Sequence, residues 1–468
     1  MSVQQSWSHQ PPAIEYLDNN DRVLLDAALG SGKSYMAVTH CRNRFSGQTD
    51  RILVLCPASV MGVWRREFNK HAKGEFDVLV LDGNWTSQKK AELVAEAFNL
   101  QKATRRPLVV VVNYESFWRD ALFAVFLKAN FTKIICDESH KIKSYSAKCS
   151  KSAHQLTMSG VRSRLCLSGT PMNNGPQDIF GQYRFLNDTI FGRYWTHFKR
   201  QYAVENPNVP GMIIRWINQD EFKQKVAKLR YYIGPEVLSL PDKSDTFIYT
   251  KLAPAGRKAY DQMKKEALVE LNIQTSSGEP QIASAQNGAV QFLRMLQLAQ
   301  GYVKTTVGEE VNTDTEKRRA LLDILEGLDE PVCVYGWFKH DLACVKKCCE
   351  ILGRRYGELS GDRHDLTPNA EMPDDVDIMA VQCKSGSAGI DLTRAAVGII
   401  MNSGMLSPGD YDQMMARQYR PGQTRNVRFL HLVTERTVET KLIDSRGKKR
   451  DCIKAMLSDI VDPADEVF

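Results

Sequence analysis

LLDAALGSGKSYMA, residues 24–37, sets an apolar run against Gly-Ser-Gly-Lys-Ser and continues in a helix-compatible stretch. That order predicts a strand, a glycine-rich loop and a helix. Such glycines let backbone N–H groups curl around phosphate oxygens, and the helix adds the positive end of its dipole. Gly30, Ser31 and Gly32 then form the cradle, Lys33 reaches the β- and γ-phosphates, and the Ser34 hydroxyl ligates Mg2+. The strict pattern has glycine five places before Gly32, where this chain has Ala27. Taken alone, the loop is also compatible with a glycine-rich structural turn.

A second stretch, IICDESH (134–140), places two carboxylates at the end of an apolar run. Strand ends are where α/β sheets present ligand-binding groups. Asp137 suits holding Mg2+ through water, and Glu138 suits orienting and deprotonating an attacking water. An acidic turn in solvent is the plainer alternative. The two stretches together point to ATP or a similar nucleotide, with hydrolysis.

Working outward, short β-branched runs recur at 22–29, 51–56, 78–83, 107–114, 133–139 and 164–170. Stretches of helical period such as MGVWRREFNKHA (61–72) and SQKKAELVAEAFNL (87–100) lie between them. Apolar runs without alternation suit strands buried on both faces, and their alternation with helices predicts a parallel α/β sheet. Residues from about 176 to 310 read as helix-rich, aromatic and basic. SLPDKSDTFIYTKLAP (239–254) reads as an extended connector and TSSGEPQ (275–281) as a loop. The α/β pattern restarts at 331–338, 356–362, 376–383, 397–404 and 427–434. The expected boundaries are 1–237, with a helical extension from about 176, and 238–468, with a connector and helical insertion to about 315.

With 468 residues, 43% hydrophobic and 25% charged, the composition is that of an ordinary globular protein. A formal net charge of +7 permits a polyanionic partner without requiring one. The 11 cysteines, an odd number, include Cys56, Cys136, Cys166 and Cys383 in strand-like runs, which reads as a reduced core. Cys344, Cys348 and Cys349 stand at helical rather than zinc-finger spacing. The polar N-terminus and the lack of a bilayer-length apolar run predict a chain working where it is made: cytoplasmic, or nuclear in a eukaryote.

QMMARQYRPGQ (413–423) places Arg417 and Arg420 three apart, on one face if helical, a spacing that suits arginine fingers on a γ-phosphate. A basic surface helix is the alternative. In order, the segments resemble the motif series of superfamily 2 helicases, and more narrowly the Swi/Snf-like DNA translocases. SHQPPAIEYL (8–17) resembles the adenine-recognition motif, with Gln10 in the glutamine place, and LLDAALGSGKS resembles motif I. LVLCPASVMGVWRREF (53–68) resembles motif Ia, VVNYESF (111–117) Ib, DESHKIKSYSAKCSK (137–151) II and RLCLSGTPMNNGPQDIF (164–180) III. VYGWF (334–338) resembles motif IV, KSGSAGIDLTRAA (384–396) V and QMMARQYRPGQT (413–424) VI. Motif II has Ser139 where Ala or Gly is usual, motif V has Asp391 where Asn is common, and GMLSPGD (404–410) lacks a tryptophan many relatives carry.

The resemblance implies two RecA-like parallel-sheet domains in tandem with helical insertions between them, facing each other across ATP and Mg2+. It implies nucleotide contacts from Gln10, Gly389 and Asp391, and phosphate-backbone contacts to DNA near Pro57, Ser59, Lys384 and Ser385. It further implies that Ser168, Gly169, Thr170 and Gln413 couple the ATP site to the DNA track, with Arg417 and Arg420 acting from the second domain. The expected activity is an ATP-dependent DNA helicase or translocase that unwinds or migrates forked or branched duplexes. Duplex tracking that displaces bound proteins, an RNA helicase, a DNA-binding scaffold and a motor subunit of a larger complex are the alternatives. FGRYWTHFKRQY (191–202) suits either stacking on bases or packing as an aromatic helix on the first sheet.

Overall fold

The computed structural model describes residues 6–208, 211–277, 282–304, 310–313, 315–367, 370–383 and 390–457. The chain divides into two compact units, one reaching to Ser239 and the other running from Leu240 to Lys448.

Unit 1 opens with α1 (Gln10–Asn19) and then alternates strand with helix. The series is β1 (Arg22–Ala27), α2 (Lys33–Arg44), β2 (Arg51–Cys56), α3 (Met61–His71), β3 (Asp77–Val80) and α4 (Ser87–Thr104). It continues with β4 (Leu108–Asn113), α5 (Asp120–Leu127), β5 (Lys133–Asp137), α6 (Lys148–Thr157) and β6 (Ser163–Ser168). A helix-rich part follows: α7 (Gln177–Leu186), α8 (Asp188–Phe191), α9 (Trp195–Tyr202), the hairpin β7 (Ala203–Glu205) and β8 (Ile213–Trp216), and α10 (Gln219–Ala227). The unit's last strand is β9 (Arg230–Ile233).

Seven of these strands form one sheet in the order β3-β4-β2-β5-β6-β1-β9, every neighbouring pair parallel. Successive side chains of a strand point to opposite faces. Leu53, Leu55, Val110 and Val112 accordingly pack into one core, and Ile52, Val54, Val109 and Val111 into another on the other face. Helices cover both faces, which is why the strands read as unbroken apolar runs. β9 falls inside the stretch read as helix-rich. It is an edge strand beside β1, fixed by a buried ion pair in which Arg230 Nε donates to Asp26 Oδ2 at 2.8 Å.

Unit 2 contains β10 (Lys243–Thr250), α11 (Pro254–Ser277), α12 (Ile282–Ala299), the hairpin β11 (Tyr302–Lys304) and β12 (Glu310–Asn312), and α13 (Glu316–Glu326). It continues with β13 (Val332–Gly336), α14 (Lys339–Leu352), β14 (Tyr356–Leu359), β15 (Ile378–Gln382), β16 (Val397–Ile400), α15 (Pro408–Met415), β17 (Val427–Thr434) and α16 (Val438–Leu457). The sheet order is β10-β17-β16-β13-β15-β14, again parallel throughout. The expected connector is therefore extended, and it is also a sheet strand: β10 pairs with β17 along its whole length. Of the expected loop 275–281, residues to 277 are helical and the rest lie outside the described residues.

Cys56, Cys136, Cys166 and Cys383 are buried, and Cys348 and Cys349 pack into a core that α14 shares with β13. No described helix is long and apolar enough to cross a membrane.

Candidate functional site

β5, β6 and β1 are consecutive in the unit 1 sheet, with Cys136 opposite Cys166 and Asp26 opposite Ser168. Parallel register brings their carboxyl ends to one edge. The phosphate loop leaves β1 there, the acidic pair leaves β5, and Ser-Gly-Thr leaves β6. Carboxyl strand ends are the usual place for ligand chemistry in such sheets.

The loop depends on glycine at two points. Gly30 and Gly32 hold φ of +89° and +83°, a region that L side chains rarely adopt. A Cβ on Gly32 would also fall 2.5 Å from Gln10 Nε2. Gln10 is buried, donates to Ser31 O at 3.2 Å and accepts from Trp7 N–H at 3.0 Å, so the first helix is tied directly to the loop. Lys33 opens α2 and folds back, donating to Ala27 O at 2.9 Å and Ala28 O at 3.3 Å. Burial pushes its ammonium below the ordinary lysine value, opposed by the charges of Glu138, Asp137 and Asp26. Ser34 is half-buried beside it, and the buried Ser31 Oγ has no protein partner among the described residues.

Asp137 ends β5. Its Oδ2 accepts from Trp64 Nε1–H at 2.9 Å, its Oδ1 from Glu138 N–H at 3.0 Å, and its main-chain oxygen from the Tyr114 hydroxyl at 2.7 Å. Burial, together with the charge of Glu138, pushes its carboxyl up to about 6 against the pull of Trp64 and Lys33. Glu138 holds a left-handed φ of +50°. Non-glycine residues sit there at a cost and are often found at functional sites. Burial pushes its carboxyl up, but the hydrogen bond and charge of His140, with Lys33 and Lys141, outweigh it and hold it below the ordinary value. His140 Nδ1 lies 3.3 Å from Glu138 Oε2.

Ser168 is fully buried and accepts from Thr170 N–H at 3.1 Å. Gly169 packs against the phosphate loop, where a Cβ would meet the Leu29 side chain at 3.0 Å and Ala27 O at 3.2 Å. Thr170 Oγ1 is buried without a protein partner among the described residues. Unit 1 thus brings Gln10, Gly30–Ser34, Asp137, Glu138 and Ser168–Thr170 to one edge. Pro57 and Ser59 stand in the turn after β2, Pro57 half-buried and Ser59 exposed.

Unit 2 departs from the expectation for the arginines. α15 ends at Met415, so Arg417 and Arg420 lie in the following turn, not on one helix face. Pro421 disfavours helical backbone at Arg420, and Gly422 takes φ of +104°. The buried Gln418 carboxamide fastens this turn to Ala395 O and Val397 O and accepts from the Tyr335 hydroxyl. Arg417 is buried, whereas Arg420 is half-exposed, donating to Ile390 O at 2.9 Å with Asp391 Oδ2 at 3.8 Å. Asp391 Oδ1 caps the next turn by accepting from Thr393 N–H and Oγ1–H, and Gln413 is half-buried on α15. Lys384, Ser385 and Gly389 lie outside the described residues.

The segment 191–202 resolves toward packing. Phe191, Phe198 and Tyr202 are buried in the unit 1 core, and Trp195 stacks on Tyr145 with ring centroids 4.7 Å apart. Tyr194 alone of its aromatics is strongly exposed. Trp64, Tyr114 and the Asp26–Arg230 pair carry no role in the sequence reading. Their partners are distant in sequence; Trp64, Tyr114 and Asp26 sit inside quoted motif stretches, and Arg230 lies outside all of them.

The SNF2-related domain matches residues 24–300, more than half of the chain. The chain is 22% identical to the DNA repair and recombination protein RAD54-like of Danio rerio, over 98% of this chain and 67% of that one. It is 22% identical to the DNA repair and recombination protein RDH54 of Saccharomyces cerevisiae, over 88% of this chain and 47% of the relative. It is 24% identical to the yeast ISWI chromatin-remodeling complex ATPase ISW1, over 85% and 35%. A solved Sulfolobus solfataricus SWI2/SNF2 ATPase core in complex with dsDNA aligns over 99% of this chain and 95% of that one, at 21% identity and a TM-score of 0.43. The chain spans about two thirds of the length of the Danio rerio relative and less than half of the yeast relatives. With a domain match across more than half its length, the chain belongs to the SNF2-related family.

Proposed function

We propose that this chain hydrolyses ATP to move along duplex DNA and remodels forked or branched duplexes. The observation that carries the reading is the unit 1 edge, where Lys33, Asp137 and Glu138 lie in one another's electrostatic field beside the phosphate loop. The donor set fits Mg2+: the Ser34 hydroxyl and the Asp137 carboxylate are hard oxygen ligands. Held there, Mg2+ would supply positive charge against the phosphates of the nucleotide.

The chain's own residues do the rest. Lys33 exchanges its loop carbonyls for phosphate oxygens, and backbone N–H groups of Gly30–Ser34 hold the phosphates. Glu138, kept ionised at neutral pH, orients the attacking water and accepts its proton. Gln10 reads the adenine, and Asp391 and Gly389 complete the nucleotide contacts. Arg417 and Arg420 stabilise transition-state charge from unit 2. Ser168, Gly169, Thr170 and Gln413 link nucleotide state to DNA. Pro57, Ser59, Lys384 and Ser385 contact the phosphate backbone, which makes binding salt-dependent and largely sequence-independent.

Two of the similar proteins are DNA repair and recombination proteins, which supports branched DNA as the working substrate. Tracking on duplex without strand separation is the second reading. It is favoured by the buried aromatics of 191–202, which offer no row of stacking rings for a separation wedge.

Steady-state ATP hydrolysis with no nucleic acid, single-stranded DNA, duplex, forked junction or RNA tests the reading, with Lys33→Ala as control. Strong stimulation by DNA, greatest with the junction, is expected. Stimulation by RNA alone would make it an RNA motor. Hydrolysis that no nucleic acid stimulates would remove the autonomous DNA motor. Strand-displacement and triplex-displacement assays then separate unwinding from tracking.

A further inference from the structure

We propose that Trp64 is a positioning residue for nucleotide hydrolysis: its indole N–H holds the Asp137 carboxylate in the orientation that receives the metal ion. The proposal rests on the nucleotide reading of unit 1.

Trp64 lies on α3, only 1% exposed, and its nearest aromatic neighbour is Phe68, with ring centroids 6.2 Å apart. Its Nε1–H reaches Asp137 Oδ2 at 2.9 Å, across 73 residues of sequence. A buried tryptophan needs an acceptor, and a main-chain carbonyl would suffice. Here the acceptor is a strand-end carboxylate. Glu138 N–H takes the other oxygen and the Tyr114 hydroxyl takes the main-chain oxygen of the same residue. Asp137 is thereby fixed at three points. Each carboxylate oxygen keeps a further lone pair, which leaves capacity for a metal ion or its water. An indole N–H is a donor only, so it neither competes for the cation nor changes role when the cation arrives. Partners of this kind orient metal-ligating carboxylates, and their loss weakens metal binding.

The test is nucleotide binding without DNA. Trp64→Phe keeps the aromatic packing and removes the donor. ADP affinity is measured by calorimetry in EDTA and across a Mg2+ titration, for wild type and variant. The expected result is unchanged affinity in EDTA and a Mg2+ requirement raised about tenfold or more. A folded variant with an unchanged Mg2+ requirement overturns the proposal. Should the variant not fold, 15N-tryptophan-labelled wild type decides. The indole signal displaced by Asp137→Asn belongs to Trp64, and Mg2+ added to the ADP-bound protein is expected to shift it. A signal that Mg2+ leaves in place overturns the proposal. Absence of ADP binding in every buffer would remove the nucleotide reading and this proposal together. Absence of DNA stimulation would remove the motor reading and leave this result standing.

Discussion

Asp137, proposed to hold the metal ion, is placed where its charge works against the stability of the fold. Burial and the neighbouring charge of Glu138 push its carboxyl up to about 6 in the fold, from the ordinary value of 3.8. Between those values the folded state binds the proton more tightly, so stability falls as pH rises from 4 to 6. Above that range the ionised carboxylate carries the full cost. Asp137→Asn keeps an acceptor for Trp64 and removes the charge. Thermal melts in EDTA at pH 7.5 are expected to show the variant more stable by about 1–3 kcal/mol. The gain is expected to vanish as pH falls to 4. An equal gain at both pH values would mean that shape, and not charge, sets the difference. The same variant is expected to lose Mg2+-dependent hydrolysis, the usual exchange of stability for activity.

At the scale of elements, unit 2 is joined by a buried ion pair that the sequence does not advertise. Lys317 on α13 donates to both Glu439 oxygens on α16 at 2.8 Å, and also to Gln300 Oε1 and Met401 O. Both side chains are almost wholly buried. Burial lowers the Lys317 ammonium, and the charge of Glu439 and its hydrogen bond raise it. Glu439→Ala would strand the ammonium in the core, at an expected cost of about 3–5 kcal/mol. Replacing both residues by apolar ones of similar volume is expected to cost far less, because no charge is left behind. A double-mutant cycle on the melting transition of the full chain checks this. Two equal and additive losses would mean that the pair is not coupled.

Over the whole molecule, the proposed catalytic set is divided. The phosphate loop and carboxylates belong to unit 1, and Arg417 and Arg420 belong to unit 2. Their different burial separates their expected phenotypes. Arg420→Ala should leave the melting temperature and nucleotide affinity nearly unchanged and lower the hydrolysis rate about a thousandfold. Arg417→Ala should lower that rate and the melting temperature together, because its side chain is part of the unit 2 interior. Single-turnover hydrolysis alongside calorimetric melts distinguishes the two. Unaltered hydrolysis in Arg420→Ala would take that residue out of the mechanism.

Much of this was legible in the chain itself. Unbroken β-branched runs alternating with helical stretches determined two parallel sheets, because a strand covered on both faces has no polar side to alternate. Glycine at 30 and 32, lysine at 33 and carboxylates at 137 and 138 carry the proposed nucleotide chemistry, because few other residue types can cradle phosphate and hold a cation. Local pattern could not reveal partners brought together by folding. β9 has four residues, too few for a period, and its place depends on Arg230 finding Asp26. β10 reads as a connector because only β17 makes it a strand. Arg417 and Arg420 read as helical neighbours until Pro421 and the Gln418 anchor end the helix before them. Trp64 belongs to an amphipathic helix by spacing and to the Asp137 carboxylate only by tertiary contact, since no sequence period links hydrogen-bond partners so far apart.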